Sequence, residues 1–392
     1  MKNSMRGPLL FILGVTFSGF LFSLHYTRNK DYKDTVAIPR LAIQTEQLQE
    51  TTRIASRVIS TSSTKTPHVA TPPPAAKVEP VDCNCISKTT GKSYNFCYTD
   101  PQNSTSIGKK FDCASLTILE KLNLVENPGP YVDLADSEKN SKNMVFVSAV
   151  SENHFNEATH SIGSVYKFYH NAKFILYSLG LNKFYTQTIK KQFSNLEVRV
   201  FNTSGYPNYT NHWMEYRFKP LILAEVMKDY ENIWWMDAHI SVKKPGMIEN
   251  LFKEISENTK KSVTKVPISI YYFIHSSHSN FATLFTDLLD YFPSNSIPLL
   301  KDPNLGGQMG ANTMFFSRTE YTIQTFKWWI LCALDKNCMN PPGAQVYCSF
   351  AIDDRNTKFA NCFRFDQSVI NLLMLNDFQD YKLYRSKIGS VF

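Results

Sequence analysis

The chain has 392 residues, of which 42 are Lys or Arg and 34 are Asp or Glu, for a formal charge of +8. With 14% aromatic and 43% hydrophobic residues it can bury a large core, which excludes a fully disordered chain. The basic residues form no run, which excludes a nucleic-acid arm, and eight cysteines are too few for a small scaffold held by disulfides alone.

In chain order, residues 1–6 read as a cytosolic tail with Lys2 and Arg6. Residues 7–27 contain no Asp, Glu, Lys or Arg. A bilayer core of ~30 Å needs about 20 such residues as a helix, so this stretch is predicted to be a transmembrane signal-anchor with a lumenal bulk beyond it. Residues 28–82 follow as a stem. From Lys33 to Ser93 there is no Phe, Trp or Tyr, and Ser, Thr and Pro are frequent, so the stem is expected to be disordered. Asn103, Asn202 and Asn208 each open an Asn-x-Ser/Thr sequon and are candidate N-glycosylation sites.

The next segment, 83–142, carries Cys83, Cys85, Cys97 and Cys113; a second cluster, Cys332, Cys338, Cys348 and Cys362, lies near the end. Their spacings are not those of zinc knuckles, and a chain behind a signal-anchor enters an oxidising compartment, so all eight are expected in disulfides. Each cluster of four allows three pairings.

Residues 143–392 alternate between strand and helix. Met144–Val150, Lys173–Tyr177, Leu196–Phe201 and Asn232–Met236 read as buried strands, and His154–Tyr169, Leu181–Phe193 and Pro220–Tyr230 as helices. Strand and helix in repeated alternation predict an α/β fold whose mainly parallel sheet is flanked by helices.

Ligands in such sheets bind beyond the carboxyl ends of strands. Asp237 and His239 stand just past the fourth strand. In extended geometry residues two apart share a face, and a carboxylate beside an imidazole suits Mn²⁺ or a similar divalent ion. Ser148, Ser151 and Asn153 occupy the end of the first strand, where a nucleotide base would rest. His275 and His278 form a second candidate metal pair. Trp328 and Trp329 are expected in the core, with a sugar-stacking role as the other reading.

The stretch Glu231–Phe252, with Trp-Trp-Met-Asp-Ala-His at its centre, resembles the Asp-x-Asp region of nucleotide-sugar glycosyltransferases of the GT-A fold. Gly310–Phe316 is similar to the strand lining their donor and acceptor pocket, and Phe365–Asn371 to their Asp-Gln helix start. From about Cys83 the chain also resembles a nematode-expanded family of type II membrane proteins to which no reaction is assigned. The GT-A resemblance implies a donor site for a nucleotide sugar. Asp237 and His239 would hold the metal, Arg217 and Lys219 the diphosphate, and Asn312 the sugar; Asp366 would serve the acceptor hydroxyl. His239 stands where the second Asp is usual, and no His follows His278 to complete the metal site. The expectation is a single-pass Golgi membrane glycosyltransferase, acting from a uridine diphosphate donor on a glycan or glycoprotein acceptor. The alternative is a pseudoenzyme that keeps the fold as a binding module.

Overall fold

The computed structural model describes residues 82–392 apart from Asn127, Ser262, Val263, Lys265 and Asn295. The expected tail, anchor and all but the last stem residue lie outside the described residues. Among the described residues no helix is long and apolar enough to cross a membrane.

Met144–Val150 (β1), Lys173–Ser178 (β2), Leu196–Val200 (β3) and Asn232–Met236 (β4) are the four strands read from short apolar runs. They pair in parallel. Ile270–Tyr272 (β5), His275–Ser279 (β6), Gly307–Met309 (β7) and Thr313–Ser317 (β8) follow. The six-stranded sheet runs β3-β2-β1-β4-β8-β5, with β8 antiparallel to both of its neighbours. The fold is thus α/β with a mainly parallel sheet. β6 and β7 form a separate antiparallel pair.

Helices follow from the same patterning. Phe155–Phe168 (α1) buries Phe155, Ala158, Ile162 and Val165, a single helical face, against the sheet. Lys183–Gln192 (α2) is capped by the Asn182 side chain. Phe218–Met227 (α3) begins two residues before the predicted start, because Pro220 falls in the first turn, where a backbone N–H has no partner within the helix. Nearly every residue of α3 is buried, since it packs against both β4 and another helix. Met247–Lys261 (α4), Glu320–Leu334 (α5) and Asp366–Phe378 (α6) complete the long helices. α5 is the one that packs on α3, and it also packs on α6.

The disulfides form within each cysteine cluster, as Cys83–Cys97, Cys85–Cys113, Cys332–Cys338 and Cys348–Cys362. The first two tie the segment before β1 into hairpins that pack on the rest. Tyr98 meets Phe292 and Trp328 edge-on, and the Lys327 ammonium donates to the Asn95 carbonyl at 2.6 Å. Trp329 is fully buried in the core, and Trp328, partly buried, packs against it. Asn103, Asn202 and Asn208 are exposed.

Candidate active site

The site is built where β4 runs out of partners. β8 begins at Thr313, which pairs with Met236, so regular pairing ends there. The Asp237 N–H donates to the Asn312 carbonyl at 2.7 Å, and the chain then turns, the Ile240 N–H reaching the Asp237 carbonyl at 2.9 Å. The extended geometry expected for Asp237 and His239 is therefore replaced by a turn. Both residues still arrive together, lining two adjoining cavities.

The larger cavity, about 360 Å³, is walled by Ser151 and Asn153 after β1 and by Trp213, Tyr216 and Trp235. Ser151 donates to the Asn153 side chain at 2.6 Å. The smaller, about 180 Å³, is walled by Lys219, Asn312, Arg364, Asp366 and Gln367. Tyr216, Asp237 and His239 belong to both.

Lys219 organises the junction. Its side chain is 3% exposed. Its ammonium lies 2.7 Å from Asp366 Oδ2 and 3.2 Å from Asp237 Oδ1, and donates to the Ala311 carbonyl at 2.9 Å. Burial works against the charged ammonium, but the two carboxylates outweigh it and hold the group above its ordinary value. Burial pushes the Asp366 carboxyl up to about 6 against the pull of Lys219, and the charge on Asp237 adds to the rise. Asp237 Oδ1 also accepts the Trp235 indole N–H at 2.7 Å. One cation thus serves two carboxylates, which leaves the junction short of positive charge.

Two non-glycine residues hold left-handed backbone here. Tyr216 has φ 53°, just before α3, and Phe365 has φ 45°, just before α6. Such conformations cost about 1–3 kcal/mol each and persist where packing over-determines them. Both rings are held by aromatic neighbours, Tyr216 by Phe218 and Phe365 by Phe363. The turns aim Lys219 and Asp366 from two different helices at one point. Gln367 locks the second turn: its Oε1 accepts from the Ala311 N–H at 3.1 Å, and its Nε2 donates to Gln308 at 2.6 Å.

Ser151, Asn153, Lys219, Asp237, His239, Asn312 and Asp366 are brought together. Two expected residues are not. Ser148 is buried within β1, and its hydroxyl faces neither cavity. Arg217 is fully buried and turned away. Its guanidinium donates to the carbonyls of Ala333, Asp335 and Lys336 at 2.7–2.8 Å and pairs with Glu215. It satisfies carbonyl groups at and beyond the end of α5, which no longer have partners within that helix. Tyr216, Arg364 and Gln367 were not singled out from sequence. Gln367 was legible, as the second letter of the Asp-Gln pair.

His275 and His278 lie on β6, outside both cavities. Burial holds both imidazoles below their ordinary value, His278 at about 4, and His278 Nδ1 lies 2.9 Å from the Ser279 carbonyl. Among the described residues no group of three His, Cys, Asp or Glu side chains gathers to hold an ion. Asp237 and His239 supply a carboxylate and an imidazole at the mouth of both cavities, and among the described residues no hydrogen bond reaches Asp237 Oδ2. This donor set fits a divalent ion that takes its remaining ligands from phosphate oxygens.

The model of a family described as "Protein of unknown function (DUF1647)" matches residues 83–224. No curated protein matches the sequence. Among solved structures, the mannosyltransferase Ktr4p from S. cerevisiae is similar at 12% identity and a TM-score of 0.35, over 56% of this chain and 71% of that one. Core-mannan synthase A from Aspergillus fumigatus, in its Mn/GDP form, is similar at 12% identity and 0.38, over 76% and 84%. The galactosyltransferase LgtC, in complex with donor and acceptor sugar analogs, is similar at 11% identity and 0.28; the match spans 47% of this chain and 63% of that one. All three scores are too low to carry an argument about this chain's activity.

Proposed function

We propose that this protein transfers a sugar from a nucleotide diphosphate donor, a uridine one on the sequence resemblance, to a glycan or glycoprotein acceptor. The observation that carries the reading is the junction itself. Asp237, Lys219 and Asp366 meet within hydrogen-bond reach at the carboxyl end of β4, between a larger and a smaller cavity.

In this reading the nucleoside lies in the larger cavity, against Tyr216 and Trp235, with Ser151 and Asn153 available to its polar edge. The sugar lies in the smaller cavity near Asn312 and Gln367. A divalent ion held by Asp237 and His239 would supply positive charge opposite the diphosphate as it leaves. Asp366, with a carboxyl at about 6, is suited to accept the acceptor hydroxyl's proton near neutral pH, and Lys219 keeps that carboxylate oriented. A type II Golgi membrane placement belongs to the same reading.

The test is calorimetric titration of uridine diphosphate into the purified protein, with Mn²⁺, with chelator, and with Asp237→Ala. Binding that needs metal and is lost in the variant is expected. A folded protein that binds no nucleotide sinks the reading. Nucleotide binding with no turnover of any donor would make the protein a binding module.

A further inference from the structure

Three cations stand on the turns and helix starts around the site, and two are already committed. Arg217 is consumed by backbone carbonyls and Glu215, and Lys219 by Asp237 and Asp366. The third is Arg364. It lines the smaller cavity half-buried, its Nε is buried without a hydrogen-bond partner, and among the described residues no carboxylate pairs with its guanidinium. A buried donor on a charged group left unpaired is costly, and such exceptions call for an explanation.

The residue is also fixed in place. Its N–H donates to Ser368 Oγ at 3.2 Å, its carbonyl accepts from the Gln367 N–H at 3.0 Å, and Cys362, two residues earlier, is bridged to Cys348. Burial holds its guanidinium below the ordinary value, with the Arg355 charge acting in the same direction and the Tyr216 hydroxyl against it. Meanwhile Asp237 and Asp366 outnumber Lys219, so an incoming anion would meet a negative junction unless another cation faced it.

We propose that Arg364 is the anion anchor of the smaller cavity, binding an oxyanion of the substrate, either a phosphate of the donor or the carboxylate of an acidic sugar. The inference rests on the reading of that cavity as the sugar end of the donor site. The planar guanidinium suits both oxyanions, because each presents two oxygens to a fork of N–H donors.

The experiment compares the full-length protein with Arg364→Gln and Arg364→Lys by calorimetry, thermal melting confirming that each is folded. The probes are uridine diphosphate, inorganic pyrophosphate and glucuronate, with uridine and glucose as neutral counterparts. Arg364→Gln is expected to weaken anionic probes about ten- to a hundred-fold and to spare the neutral ones. Arg364→Lys is expected to retain part of the affinity, and serves as the test if Arg364→Gln does not fold. Loss confined to uridine diphosphate and pyrophosphate names the phosphate; loss confined to glucuronate names the acidic sugar. Equal binding of every anion by variant and wild type overturns the proposal, as does a wild type that binds none of them. A wild type that binds pyrophosphate or glucuronate through Arg364 but no nucleotide would remove the donor reading and leave the anion site standing.

Discussion

Arg217 and Lys219 leave the same left-handed turn two residues apart and end in opposite surroundings. The Arg217 cluster is a closed one: three carbonyls and Glu215 take up the guanidinium, and the Tyr209 ring lies 4.7 Å from it. The Lys219 cluster is open, with one ammonium shared by two carboxylates on the wall of a cavity. Both cations are buried, so burial alone does not mark function. What separates them is whether the local charge is balanced without a ligand.

The contrast can be broken first at its closed end. Arg217→Ala should lower stability by about 3–5 kcal/mol, because Glu215 and the carbonyls of Ala333, Asp335 and Lys336 lose their donor. Denaturant unfolding measures this, and whatever folded protein remains should bind ligand as before. A variant that is fully stable but no longer binds ligand would reverse the two assignments.

At the open end the effect is smaller and differently shaped. Lys219→Met leaves Asp237 and Asp366 facing each other without a cation, and should abolish transfer while destabilising the fold. Adding Asp366→Asn should restore part of the lost stability and none of the activity. A double-mutant cycle should give a coupling of about 0.5–3 kcal/mol. A coupling of zero would mean that the ion pair has no energetic reality.

The smallest effect is on pH. The Asp366 carboxyl, pushed up to about 6 by burial, binds its proton more tightly in the folded state than in the unfolded chain, where the group titrates near ~3.9. Its contribution to stability is therefore fully present below about pH 4 and is lost as pH rises towards 6. Burial also pushes Asp377 up to about 6, so it contributes in the same sense. His275 and His278, held below their ordinary value by burial, act in the opposite sense across the same window. Asp366→Asn removes the Asp366 share alone and should therefore shift the slope of melting temperature against pH upward; an unchanged slope would place Asp366 outside the titration.

The parallel half of the sheet was legible because strands buried on both faces read as unbroken apolar runs, as in Met144–Val150 and Asn232–Met236. β6 was not, because His275–Ser279 is a polar run with neither alternation nor apolar content. Asp237, Lys219 and Asp366 were found through motif order, yet the same reasoning chose Arg217. In sequence both cations are basic residues at a helix entry; only the end of α5, more than a hundred residues later, claims one of them. Arg364 gave no signal, since it lies in an irregular stretch with no period to interrupt.

Val346 and Arg364 form part of the wall of the smaller cavity, and Cys348–Cys362 bridges the chain between them. A bridge closing a loop of this length removes roughly 3 kcal/mol of chain freedom. The carboxylates and Lys219 are set by the sheet and its helices, whereas this wall carries a covalent restraint as well. The same polypeptide made in a reducing cytoplasm should therefore keep the chemistry of the junction while holding this wall less tightly.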